Sequence, residues 1–104
     1  MKHILPQEVE QQLKEGRALS IIDVREDEEV AQGKIPGARH IPLGQLLERM
    51  NEVNKDQEHI LVCRSGNRSG MACQLLESYG YRVVNMTGGM LEWTGEVEKG
   101  EGVK

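Results

Sequence analysis

Short apolar segments alternate along this chain with segments of helical periodicity, and this alternation is the strongest constraint on its fold. The clearest apolar segments are 19-LSIIDV-24, 59-HILVC-63 and 82-RVVNM-86. Apolar residues at successive positions are typical of strands in parallel sheets, which helices cover on both faces. The pattern therefore predicts an α/β domain with a mostly parallel sheet.

The other segments predict helices and two shorter strands. Periodicity and the placement of glycine and proline indicate helices at 6–14, 27–32, 43–53, 69–79 and 89–93. The segment 43–53 has the most regular stripe, formed by Leu43, Leu46, Leu47, Met50 and Val53. In the segment 69–79 the residues expected to face inward are Ala72, Leu75, Leu76 and Tyr79. Short strands are expected at 4–5 and 38–41, and the polar segment from residue 95 onward is expected to fray.

The segment 62-VCRSGNRSG-70 is the strongest candidate for a functional site. It places Cys63 at the end of a predicted strand, where α/β sheets bind their ligands. The loop back into the next helix consists of Arg64, Ser65, Gly66, Asn67, Arg68 and Ser69. A turn this tight directs backbone N–H groups inward as an anion nest, and the helix start adds further donors. With two arginines beside it, Cys63 is predicted to be a nucleophile with a depressed pKa.

Other roles for Cys63 fit the sequence less well. A buried structural cysteine has no need for flanking cations. A cysteine protease needs a positioned histidine, for which His40 and His59 are candidates only by default. A Walker-type nucleotide loop is excluded because the sequence has no G-x4-G-K-[ST] motif.

Length, charge and cysteine count limit the classes of partner. The 104 residues predict one domain, expected to be a monomer, and the net charge of −4 argues against nucleic acid. The sequence has no apolar stretch of membrane-spanning length, so no membrane association is expected. Its two cysteines and three scattered histidines predict neither a disulfide scaffold nor a metal site, and no cofactor is expected. The N-terminus becomes charged too early for a signal peptide, which favours a cytoplasmic location.

Four motifs together resemble the rhodanese-like sulfurtransferase family. They are 63-CRSGNRS-69, the strand end 22-IDVRE-26, the segment 33-GKIPGARHIP-42 and the closing 88-GGMLEW-93. They occur in the family's order over roughly residues 4–95, with Lys34 where many members carry histidine. The resemblance implies a five-stranded parallel sheet flanked by helices, in a domain spanning residues 1–95 with a polar tail at 96–104.

The family resemblance also implies an activity. Members move a sulfane sulfur through a persulfide on the loop cysteine, here Cys63, which the backbone from Arg64 to Arg68 would cradle. The donor would be thiosulfate or a persulfide, and the acceptor a thiol or a partner protein. A phosphatase or arsenate reductase using the same thiolate, and a binding module without catalysis, are the alternatives. Tyrosine phosphatases carry the longer C-x5-R loop, whereas the position of Arg68 makes the motif here C-x4-R, a ring sized for one sulfur atom.

Residues around the loop have structural and functional interpretations. Asp23 and Arg25 could form part of the pocket wall or an ion pair that locks the strand end to the cysteine loop, and the ion pair is expected, since a carboxylate aimed at the thiolate would raise its pKa. Arg64 could meet a substrate anion or lie in solvent, and Arg68 is expected to face the anion. Ser69 supports the helix start. Cys73 is expected to be packed, although it could resolve a persulfide, and Trp93 is expected to cover the core.

Overall fold

The computed structural model describes residues 1–99 and contains a parallel sheet of five strands. Its strands are β1 (Lys2–Ile4), β2 (Ile21–Asp23), β3 (Arg39–His40), β4 (Glu58–Val62) and β5 (Arg82–Met86), in the spatial order β1-β5-β4-β2-β3. Every strand pairing is parallel. The predicted α/β class and five-stranded parallel sheet are confirmed.

Helices cover both faces of the sheet, which explains the continuous apolar runs. The α-helices are α1 (Pro6–Lys14), α2 (Asp27–Gln32) and α3 (Asn67–Ser78), and short 3₁₀ helices lie at Leu43–Gln45, Met50–Glu52 and Gly89–Glu92. Neighbouring strand residues enter opposite cores: Leu61 packs in the core that includes residues of α3, and Ile60 in the core that includes Val9 of α1. Successive apolar residues of a strand therefore pack alternately in the two cores.

The single helix predicted over 43–53 is wrong. Two 3₁₀ turns replace it, at Leu43–Gln45 and Met50–Glu52. Leu46 and Val53 are buried, but Leu47 is 60% exposed, so the five residues of the stripe do not share one buried face. Tyr79 is likewise 49% exposed instead of facing the core, because α3 ends at Ser78.

Residues 96–99 contact the domain, contrary to the expected fraying. Lys34 and Glu98 form an antiparallel bridge, with N···O distances of 2.8 Å and 2.9 Å, and the Glu98 carboxylate accepts the Gly37 N–H at 2.8 Å. The boundary at residue 95 stays a prediction, and residues 100–104 lie outside the described part of the chain. None of the helices in residues 1–99 has the length and apolar character needed to span a bilayer.

Candidate active site

Cys63 directly follows β4, a strand with neighbours on both sides, at the carboxyl end of the sheet. The backbone bends through residues 64–66 and enters α3 at Asn67, two residues before the predicted start. Gly66 precedes the helix with φ of 102°, a conformation that strains any residue with a Cβ. Glycine thus lets the backbone turn back over the sulfur within three residues of the strand.

Hydrogen-bond donors of the loop and of the helix start converge on the Cys63 sulfur. The Gly66 nitrogen lies 3.0 Å from Sγ, and the Ser69 hydroxyl lies 3.3 Å from it. Cys63 is fully buried, and this burial by itself raises the pKa of the thiol. The Ser69 hydroxyl and the backbone N–H groups of Ser69, Gly66 and Ser65 outweigh the burial, so the pKa of Cys63 is lowered. The arrangement favours a thiolate at a buried position.

The two arginines of the loop contribute less than the sequence suggested. Neither arginine is among the main influences on the pKa of Cys63: burial raises that pKa, and hydrogen bonds lower it. Arg68 donates to both carboxylate oxygens of Glu29 on α2, at 2.6 Å and 2.7 Å. The guanidinium of Arg68 thus has an intramolecular carboxylate as its partner, and its role towards an anion stays a prediction. Arg64 is exposed at the loop surface, as one of its two interpretations had it.

Asp23 and Arg25 form the expected buried ion pair. The Arg25 Nη2 lies 2.9 Å from Asp23 Oδ2, and Nε lies 3.0 Å from Oδ1. The same Nη2 donates to the Gly33 carbonyl at 2.8 Å. The pair ties the end of β2 to the end of α2. The prediction had it tie the strand end to the cysteine loop instead.

The Gly88-Gly89 turn closes the loop from the opposite side. The Met90 N–H bonds the Cys63 carbonyl at 2.9 Å, and the Leu91 N–H bonds the Arg64 carbonyl at 3.0 Å. A Cβ on Gly89, where φ is 58°, would lie 2.5 Å from the Cys63 carbonyl oxygen. Glycine is required there by this close backbone approach as well as by its positive φ.

Asn85 belongs to the site although sequence analysis did not select it. Its Oδ1 accepts a hydrogen bond from the Ser69 hydroxyl at 2.5 Å, and its Nδ2 donates to the Gly66 carbonyl at 3.1 Å. Because a serine hydroxyl has one proton, Cys63 Sγ shares that proton with Asn85 Oδ1, and Asn85 thereby positions both Gly66 and Ser69 beside the sulfur. A buried polar residue inside the apolar strand 82-RVVNM-86 was the available signal.

Comparison with known proteins identifies the family of this site. The family model described as "Rhodanese-like domain" matches residues 5–96. The chain belongs to the rhodanese-like domain family. "Putative sulfurtransferase YtwF" of Bacillus subtilis is 43% identical over 94% of this chain and 95% of its own length. A protein of Allochromatium vinosum named "Sulfurtransferase" is 40% identical over 80% of this chain and 78% of its own.

A solved structure agrees with these relatives. The crystal structure of a rhodanese-like domain protein from Staphylococcus aureus superposes with a TM-score of 0.91 at 38% identity, covering 97% of this chain and all of its own. The fold is therefore that of a rhodanese-like domain. The relatives support sulfur transfer as the activity at the level of the family.

The second cysteine and the histidines of this rhodanese-like domain have other environments. Cys73 is fully buried in α3, and burial, with a smaller effect of Glu77, raises the pKa of its thiol to about 12. His59 lies 2.6 Å from the Ser20 hydroxyl and 2.7 Å from the Asn54 carbonyl, so both its ring nitrogens are engaged. The Nε2 of His40 donates to the Arg25 carbonyl at 2.7 Å. These contacts disfavour a protease-like Cys-His pair.

Proposed function

We propose that this protein is a sulfurtransferase that carries a sulfane sulfur as a persulfide on Cys63. The observation that carries the proposal is the set of backbone donors on a buried sulfur: the Gly66 N–H at 3.0 Å, together with the N–H groups of Ser65 and Ser69. Such donors stabilise a thiolate, and the thiolate is the form that attacks sulfur. Family membership supports the same reaction class.

The first half-reaction forms the persulfide. With thiosulfate as donor, the Cys63 thiolate attacks the outer sulfur, the sulfur–sulfur bond of thiosulfate breaks, and sulfite leaves with the bonding electron pair. With a persulfide donor, the leaving group is a thiolate. The outer sulfur on Cys63 then carries the negative charge, which the backbone N–H groups from Arg64 to Arg68 and the helix start can stabilise.

The second half-reaction returns the enzyme to its starting state. A thiolate of a small molecule or a partner protein attacks the outer sulfur and takes it, and Cys63 leaves as the thiolate. No electrons are gained or lost overall, so the cycle requires no cofactor. Such chemistry suits a reducing cytoplasm, where thiols stay free, and we assign the protein to that compartment on this ground.

The supporting residues act through geometry. Ser69 donates to the sulfur, while Gly66 and Asn67 shape the turn together with Ser65. Asp23 and Arg25 stiffen the neighbouring strand end through their buried pair. Arg64 remains exposed beside the loop, where it can meet an incoming anion.

Phosphatase or arsenate reductase chemistry is the less favoured alternative. A phosphoryl group brings three charged oxygens, whereas the C-x4-R loop is one residue shorter than the C-x5-R loop of tyrosine phosphatases. Arg68, the cation such a group would need, is already bound to Glu29. Neither observation favours a phosphoryl substrate.

A paired assay tests the proposal. The protein is incubated with thiosulfate and cyanide, and thiocyanate is measured; in parallel, hydrolysis of p-nitrophenyl phosphate is followed. We expect thiocyanate formation with ping-pong kinetics and negligible phosphate release. Robust phosphatase turnover with no sulfur transfer from thiosulfate or from a persulfide donor would overturn the proposal.

A further inference from the structure

The Arg68–Glu29 pair joins the cysteine loop to α2 and sets an internal carboxylate against the charge of the arginine. Both terminal nitrogens of Arg68 are used, at 2.6 Å and 2.7 Å from the two carboxylate oxygens. The side chains are 31% and 27% exposed, so water has only partial access to the pair. Bidentate pairs of this kind are the stronger class of charged hydrogen bonds.

Glu29 is held in place from its own helix as well. Its Oε1 accepts the backbone N–H of Glu26 at 3.0 Å, a capping contact at the start of α2. The Arg68 hydrogen bonds are the largest cause of the lowered pKa of Glu29, which is about 2. Glu29 is therefore charged at every physiological pH and does not need to reorganise to bind Arg68.

The arginine also lies within electrostatic range of the reactive sulfur. The Glu29 carboxylate is the main cause of the raised pKa of Arg68, and the Cys63 thiolate acts in the same direction. Arg64 contrasts with Arg68, because it is exposed and no carboxylate within residues 1–99 forms a salt bridge with it. One loop cation is thus committed to an internal anion and the other is open to solvent.

We propose that Glu29 is a specificity-determining residue that occupies Arg68 and so disfavours dianionic ligands at the Cys63 loop relative to persulfide donors of lower charge. A dianion approaching Arg68 must displace the Glu29 carboxylate or accept repulsion from it. A persulfide donor with a lower net negative charge than a dianion meets less repulsion. This inference rests on the proposed sulfur transfer for its choice of donors, but its effect on anion binding can be measured separately.

The test compares Glu29→Gln with Glu28→Gln. Both remove one negative charge from α2, but Glu28 is exposed and makes no hydrogen bond or salt bridge to Arg68. Glutamine at position 29 retains an oxygen that can accept the Glu26 N–H, so the start of α2 is kept. The pair of variants separates the release of Arg68 from a general change in charge.

Anion binding is measured by protection of Cys63 from iodoacetamide, a neutral reagent, with inorganic sulfate as the probe. We expect sulfate to bind Glu29→Gln roughly three- to tenfold more tightly than the wild type, and Glu28→Gln to stay near the wild type. The double variant Glu29→Gln/Arg68→Gln should lose the gain. Equal effects of the two single variants, or no gain in Glu29→Gln, would overturn the inference.

Donor preference provides the second readout. In Glu29→Gln the KM for thiosulfate should fall by a similar factor, while the KM for cysteine persulfide should change little. Tighter sulfate binding in a protein that transfers no sulfur would contradict the proposed function and retain the anion-excluding role of Glu29. Normal sulfur transfer with an unchanged sulfate affinity would contradict the role of Glu29 alone.

Discussion

Cys63 and Cys73 share one core and differ in reactivity. Both are fully buried in the same apolar cluster, between the sheet and α3. The pKa of Cys73 is raised to about 12, whereas that of Cys63 is lowered. Burial acts in the same direction on both thiols, so it cannot account for the difference.

The surrounding backbone accounts for it. Cys73 lies inside α3, where backbone N–H groups are used by carbonyls four residues earlier. Cys63 precedes that helix, and the free N–H groups of the turn and the Ser69 hydroxyl converge on its sulfur. The position of a thiol relative to a helix start, more than its depth in the core, sets its acidity here.

Exchange of each cysteine for serine should give the largest effect, a difference in sulfur-transfer activity between the two variants. Cys63→Ser should abolish sulfur transfer, because an alcohol cannot form a persulfide, and Cys73→Ser should retain most of the activity. Thiocyanate formation checks both variants, with circular dichroism to confirm that they are folded. A folded Cys73→Ser protein without activity would show that Cys73 resolves the persulfide, contrary to its packing role.

Removal of one hydrogen-bond donor from the Cys63 sulfur should reduce the difference in pKa between the two cysteines without abolishing it. Ser69→Ala deletes the hydroxyl 3.3 Å from Sγ, and because its proton is shared with Asn85 Oδ1 the loss should be below the about 1.5–3 kcal/mol of a full hydrogen bond to a charged group. The pKa of Cys63 should therefore rise. The pH dependence of alkylation by iodoacetamide measures it.

Ser65→Ala is the matched control, since Ser65 acts on the sulfur through its backbone N–H, which alanine keeps. Its alkylation profile should match that of the wild type. If both variants shifted the profile equally, the Ser69 hydroxyl would not be the specific donor.

The two cysteines should have opposite effects on stability as the pH changes. Because the pKa of Cys63 is lowered by folding, its contribution is present above the unfolded pKa of about 8.5 and is lost as the pH falls through the folded value. The pKa of Cys73 is raised, so its contribution is present below about 8.5 and is lost as the pH rises towards about 12.

Urea unfolding at several pH values measures this smallest effect. Between pH 8.5 and 10, roughly, the free energy of unfolding of the wild type should fall more steeply than that of Cys73→Ala, by at most about 1.4 kcal/mol per pH unit. The control Cys63→Ala should keep the steep fall. Parallel curves for the wild type and Cys73→Ala would contradict the raised pKa of Cys73.

The sequence predicted those parts of the fold that local pattern determines. The bounds of α1, α2 and β5 agree with the prediction because proline, glycine and charged residues mark their ends. The segment 43–53 failed because a regular apolar stripe does not reveal that Leu47 remains exposed. The strand at Lys2–Ile4 lies earlier in the chain than predicted. It pairs with β5 through its backbone, so its polar side chains gave no apolar strand pattern to recognise.

The candidate site likewise has a part that the local sequence predicts and a part that it does not. The loop, its cysteine and the donors of the helix start follow from consecutive residues. The partners of those residues come from distant segments: Glu29 on α2 binds Arg68, and Asn85 on β5 binds Ser69. Neither pairing leaves a local pattern, so the sequence showed that Arg68 is charged without showing where its charge is used.

Intact-mass analysis after exposure to thiosulfate is the most direct test of the central claim. The protein is incubated with the donor, freed of excess reagent, and weighed with and without dithiothreitol, alongside Cys63→Ser and Cys73→Ser. We expect the wild type and Cys73→Ser to gain one sulfur atom, which dithiothreitol removes, and Cys63→Ser to gain none. An adduct that persists in Cys63→Ser, or an unmodified wild type after exposure to both thiosulfate and a persulfide donor, would contradict the central claim.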